Sequence, residues 1–182
     1  MNRVVTFDFQ AAARWAGELL TLPLPDDAAR LARETLGHAE RRLPDLPASA
    51  APLPLEAWLD LDGAALLTQV RAALAAPPPV TPDDLADVIV PGCALAACRD
   101  NDLPLASALL ELLLRWRLEH APDVADFLAF QQRTDGACGY LNPLRPAPVP
   151  RHEAALRFHL PATHAVTRAL AAYEREVGRA HA

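Results

Sequence analysis

The sequence predicts an all-α protein built of antiparallel helical hairpins, and three observations predict it. Apolar residues recur at intervals of three and four, as in Leu105, Leu109, Leu112, Leu113 and Trp116, which sets them on one face of a helix. Aromatics are only 5% of a chain that is 52% hydrophobic, so the core must be mostly Leu, Ala and Val, the side chains of packed helices. The 18 prolines fall largely between the periodic segments, where the missing N–H and fixed φ end helices and stiffen connectors. At 182 residues one core and one domain, residues 1–182, are expected, with about seven helices.

The first helix is expected from Phe9 to Leu20, capped by the carboxylate of Asp8, with Phe9, Ala12, Ala13, Ala16 and Leu20 inward. Pro23 and Pro25 end it, and Asp26 and Asp27 open a second helix to about Leu43. Its inner face is Ala28, Leu31, Ala32, Thr35, Leu36 and Ala39, leaving Arg30, Arg33, Glu34, Glu40 and Arg41 to water. Pro44, Pro47, Pro52 and Pro54 make a stiff connector, and Leu55 to Leu59 is expected as one turn. Asp62 then caps a third helix to about Ala76, with Ala65, Leu66, Val70, Ala73 and Leu74 inside.

Thr81-Pro82-Asp83-Asp84 is a helix start of cap, first-position proline and two first-turn acids. The apolar pattern runs on through Leu85, Val88 and Ile89, is expected to kink or split at Pro91-Gly92, resumes through Ala94, Leu95 and Cys98, and ends at Asp100-Asn101-Asp102. Leu103 to His120 is the most apolar helix, with one polar stripe of Ser107, Glu111, Arg115 and Glu119 in which Glu111 and Arg115 form a surface pair. Pro122 to Thr134 is the next helix, expected to pack against it as a hairpin and to stop at Asp135-Gly136. Pro143, Pro146, Pro148 and Pro150 form a second connector, and His152 to Phe158 a short helix. A last helix from Pro161 to Val177 turns Ala162, Ala165, Val166, Ala169, Leu170, Tyr173 and Val177 inward and His164, Arg168, Ala171 and Arg175 outward.

The stretch Phe127 to Pro143, FLAFQQRTDGACGYLNP, resembles the QW-type repeat of the α/α-toroid families, the terpene and squalene cyclases and protein prenyltransferases. Phe127, Leu128, Gln132, Asp135, Gly136 and Gly139 carry the match, while Cys138 stands at the repeat's aromatic position and Tyr140 lies two residues on. One repeat of about seventeen residues is found, where those families carry several; the resemblance extends to small bacterial toroid-like proteins. It implies a partial or reduced toroid and a place in bacterial secondary metabolism. Protein prenyltransferases hold zinc with an Asp, a Cys and a His, which the resemblance would carry onto Asp135, Cys138 and His164.

Net charge is −6, and all 17 basic residues are arginine without aromatic clustering, which disfavours nucleic acid. No apolar run reaches signal-peptide or membrane-spanning length, so a soluble cytoplasmic protein away from membranes is expected. Cys93, Cys98 and Cys138 form no even framework, and Cys93 and Cys98 read as buried, inert thiols.

Asp83, Asp84 and Asp87 have the spacing of the magnesium-binding acids of terpene synthases, but first-turn acids are favoured by the helix dipole without metal. Asp60-Leu61-Asp62-Gly63 is a partial cyclase acid motif that capping explains, and His152-Glu153 lacks the second His of a zinc protease because Leu156 occupies that position. With no glycine-rich phosphate loop and no nucleophile–base–acid set, no cofactor is expected. The preferred reading is a non-catalytic binding or accessory protein that holds an apolar small molecule or a partner helix, with Gln132, Asp135, Tyr140 and His159 at the rim of its site. The other reading left open is a small cyclase- or transferase-like enzyme with acid–base or zinc chemistry near Asp135, Cys138, His159 and His164.

Overall fold

Three aspartates start three helices in the same way, each carboxylate accepting a backbone N–H that the first turn leaves unpaired. Asp8 accepts from Ala11 at 2.9 Å, Asp62 from Ala65 at 2.8 Å and Asp102 from Leu105 at 3.1 Å; each cap contributes about 1 kcal/mol. The computed structural model describes residues 6–40, 52–77, 85–139 and 155–180. Among these, seven α-helices follow one another: α1 (Phe9–Leu20), α2 (Asp26–Ala39), α3 (Gly63–Ala75), α4 (Ala86–Arg99), α5 (Leu103–Trp116), α6 (Ala121–Phe130) and α7 (Leu160–Ala180). A 3-10 turn (Leu55–Asp60) precedes α3, and a π turn (Ala155–His159) leads into α7. The described residues contain no strand, so the all-α class stands; one isolated antiparallel bridge joins Gln132 and Cys138.

The most apolar helix is the centre. Leu105, Leu109, Leu110, Leu112 and Leu113 of α5 are buried, and α3, α4, α6 and α7 all pack against it. The expected α5–α6 hairpin is present. Its turn differs from expectation, because α5 stops at Trp116 rather than His120. Arg117 takes the left-handed conformation at φ 58°, and the N–H of Leu118 reaches back to the carbonyl of Leu113 at 2.9 Å. That is a Schellman closure made without glycine, with Leu118 buried beneath it.

Helix α7 lies between α5 on one side and α2 on the other. A Cβ placed on Gly139 would stand 3.8 Å from both Leu103 and Ala162, and further along Glu111 meets Arg168. Helices α5 and α7 therefore run in the same direction. Because both flanks of α7 are covered, the outward face expected for Arg168 and Ala171 is buried too, at 8% and 0% exposure.

Other boundaries also move for physical reasons. The short helix expected over His152 to Phe158 and the last helix are continuous where described: the π turn widens the backbone just before Pro161, whose ring has no N–H to offer a carbonyl four residues back. Helix α4 runs unbroken through Pro91, which is buried, since packing on α5 and on the 3-10 turn outweighs one lost hydrogen bond. Gln69, on the inner face of α3, receives the backbone N–H of Leu53 at 2.9 Å and so ties the chain entering the 3-10 turn to α3. The expected signal at Thr81-Pro82-Asp83-Asp84 and the connector at residues 143–150 lie outside the described residues.

Candidate functional site

The stretch singled out in the sequence is a dock for the start of α1. Helix α6 ends at Phe130, four residues before the expected stop, and residues 131–139 fold into a tight loop. In it the N–H of Arg133 donates to the carbonyl of Ala137 at 2.8 Å, and that of Gly139 to Gln131 at 3.2 Å. Gly136 is the tip of this loop rather than the helix terminator: at φ +94° it lies so close to α1 that an added Cβ would be 2.2 Å from the carbonyl oxygen of Ala11. Beside it the Gln132 amide grips Asp8 at both backbone groups, Oε1 accepting its N–H at 2.6 Å and Nε2 donating to its carbonyl at 2.8 Å.

The other rim residues are held in the same loop. Asp135 accepts from Arg133 at 3.1 Å and from the N–H of Ala137 at 3.1 Å. His159 places Nδ1 3.0 Å from the carbonyl of Cys138, where a ring N–H donates to it, and the N–H of Cys138 donates to Thr163 Oγ1 at 2.8 Å. Tyr140 lies outside the described residues. Gln132, Asp135 and His159 thus share one loop and its receiving helix, with polar groups engaged in holding α1, α6 and α7 together.

The zinc set does not assemble. No three His, Cys, Asp or Glu side chains among the described residues are placed to hold a metal ion. Cys138 is fully buried, and its thiol pKa is pushed up by burial. His164 is turned toward α2 instead. Cys93 and Cys98 are only half-buried, yet burial raises both, Cys98 to about 11, so these thiols stay protonated at neutral pH.

Two features were not legible as sites. The first is a polar seam through the helix layers. Glu111 does not pair with Arg115 on the surface; it accepts from Arg168 of α7 at 2.7 Å, both side chains about nine-tenths buried, while Arg115 donates to the carbonyl of Ala76 at 2.9 Å. On the α2 side of α7, the ring of His164 stacks edge-to-face on that of buried His38, with centroids 5.4 Å apart. Its Nδ1 lies 3.4 Å from Thr35 Oγ1 and its Nε2 3.9 Å from Glu34, which also pairs with Arg30.

The second is the outer face of α4. Leu85, Val88 and Leu95, part of the apolar helical pattern in the sequence, are 43%, 69% and 44% exposed, and the exposed Gly92 stands between them with nothing within 4 Å of an added Cβ. The sequence signal was present in a helix apolar on all sides, since Ala86, Ile89, Val90, Ala94 and Ala97 fill the buried side. Compared with known proteins, the chain matches no family model, no curated relative and no solved structure. No helix among the described residues is long and apolar enough to cross a membrane.

Proposed function

We propose that the chain is a non-catalytic accessory protein, a reduced α/α toroid of bacterial secondary metabolism, that seats an amphipathic partner helix on the outer face of α4. The observation that carries this reading is the exposed stripe Leu85–Val88–Gly92–Leu95, spaced 3, 4 and 3 residues apart. It extends about 15 Å along the helix axis. A strip of that length and spacing suits the ridge of another helix better than it suits a small molecule, and a central residue without a side chain lets the two backbones approach. Burying three such side chains is worth several kcal/mol at about 1.5–3 kcal/mol each when complete.

Charge selects among partner helices. The whole chain carries −6, and exposed Glu56 and Asp60 stand on the 3-10 turn that packs against α4, with exposed Asp87 at the start of α4 itself. Arg99, at the other end of the stripe, is neutralised by its own neighbour Asp100 at 2.8 Å. A partner helix with lysine or arginine flanking its apolar ridge fits this surface, and a second copy of the acidic chain fits it less well. In this reading Gln132, Asp135 and His159 support the fold from the far end of α6.

The test is calorimetric titration with a synthetic helical peptide of about 18 residues, leucines at i, i+3, i+4 and i+7 and lysines on the flanks. Binding in the micromolar range, weakened about tenfold or more by Val88→Asp or Leu95→Asp with the helical circular dichroism unchanged, is the expected result. Equal affinity for the wild type and both variants would overturn the reading.

A further inference from the structure

The contact between α2 and α7 is unlike the rest of the interior. Elsewhere α7 meets its neighbours largely through Ala, Val and Leu; here two imidazoles face each other across the interface, His38 at 4% exposure and His164 with its side chain about one-eighth exposed. The groups facing His164 are Glu34, Thr35, His38 and Arg30 from α2, Arg71 from α3 and Arg168 from α7 itself, whose counter-ion Glu111 comes from α5. Three arginines stand against two glutamates before any proton reaches the His164 ring. Thr35 has already given its hydroxyl proton to the carbonyl of Leu31 at 2.8 Å, and Glu34 is shared with Arg30 at 3.1 Å. A charged His164 imidazole would be short of both water and counter-charge.

The unit held by this contact is the α1–α2 hairpin. Trp15, Leu19 and Ala32 form a small core of their own with Ala137, Ala155 and Leu160, apart from the main core around α5. The remaining ties shared with the body include Phe7, Ala12 and Ala39 in the main core and the Gln132 grip on Asp8.

We propose that the His38–His164 contact is an acid-sensitive latch: with the His164 ring neutral the α1–α2 hairpin lies on α7, and protonation of His164 releases it, uncovering the small core around Trp15. The energetics support this direction. Burial, followed by the charges of His38, Arg168, Arg30 and Arg71, lowers the His164 pKa to about 3, whereas a released imidazole titrates near 6.5. Below that value each further unit of pH favours the released form about tenfold. Between about pH 7 and pH 4.5 the shift approaches about 100-fold for His164.

Hydrogen–deuterium exchange of the full chain, corrected for intrinsic rates, tests this at about pH 7 and pH 4.5. Peptides from α1 and α2 should lose about 100-fold protection in acid while those from α5 keep theirs, and the His38→Gln/His164→Gln variant should lose that selective acid response. Equal loss in α5, or the same hairpin response in the variant, would overturn the latch. Imidazole NMR of the wild-type chain gives a reading that does not depend on the variant folding: His164 titrating near 6.5 with the hairpin still protected would overturn it equally, and a His164 ring that stays neutral until the hairpin opens would support it.

Discussion

Replacing Gly136 with alanine should be among the most damaging single changes in this protein. The methyl carbon would stand 2.2 Å from the carbonyl oxygen of Ala11 and 2.3 Å from its carbon, in a residue already at φ +94°. The obstruction is backbone, so no rotamer change relieves it: either the loop tip lifts from α1 or the first turn of α1 shifts. Left-handed strain in a non-glycine residue costs about 1–3 kcal/mol and overpacking a further 1–3, giving about 2–6 kcal/mol. With a urea slope near 2 kcal/mol per molar, the unfolding midpoint should fall by about 1–3 M. Gly17→Ala is the control, because that glycine sits inside α1 with nothing within 4 Å of an added Cβ; it should stabilise by about 0.5–1 kcal/mol. If Gly136→Ala changed stability by less than about 0.5 kcal/mol, the loop would not be packed on α1 and the docking role of residues 131–139 would be refuted.

Three further outcomes follow from the same contacts. Gln132→Ala removes both hydrogen bonds to the Asp8 backbone; it should cost about 1–3 kcal/mol in urea unfolding and speed amide exchange at the start of α1. Glu111→Leu leaves the buried Arg168 guanidinium without this carboxylate and should cost about 3–5 kcal/mol, and adding Arg168→Met should recover much of that loss in a double-mutant cycle. Stability should be fully present above about pH 6.5 and fall as pH drops toward 3, because the unfolded chain takes the proton that folded His164 refuses; the slope should not exceed about 1.4 kcal/mol per unit for this group and should vanish in His164→Gln.

Much of the fold was legible because its signals are local. Asp8 and Asp62 cap the helices they were expected to open, and the apolar repeats of α3 and α5 locate the core; Asp102, expected to end α4, caps α5 instead, and α1 buries Ala11, Trp15 and Leu19 where Phe9, Ala13 and Leu20 were expected inward. Failures came where tertiary packing decides the outcome. The left-handed Arg117 carries no residue signal, and nothing local says that Pro91 will be carried through a helix or that a π turn will join the chain at Ala155 to α7. A helical wheel separates one face from the other but cannot tell that α7 has neighbours on both, so Arg168 and His164 were read as outward. The site was less legible still. Gln132 was read as a rim residue and Gly136 as a helix stop, yet Gln132 bonds Asp8, 124 residues away in sequence, and Gly136 packs on Ala11, contacts that only the fold brings about. The stripe on α4 escaped because leucine and valine look alike whether buried or exposed.

Gly92→Leu separates the two roles of that position, because they predict opposite signs. Nothing in the chain meets a Cβ there, so leucine should raise the stability of α4 by about 0.5–1 kcal/mol through helix propensity alone. The same side chain would stand in the middle of the partner's seat, holding the helices apart, and should weaken binding of the basic helical peptide about tenfold or more. A more stable protein with lower affinity is the predicted result; a more stable protein whose affinity is unchanged or improved would contradict docking on the outer face of α4.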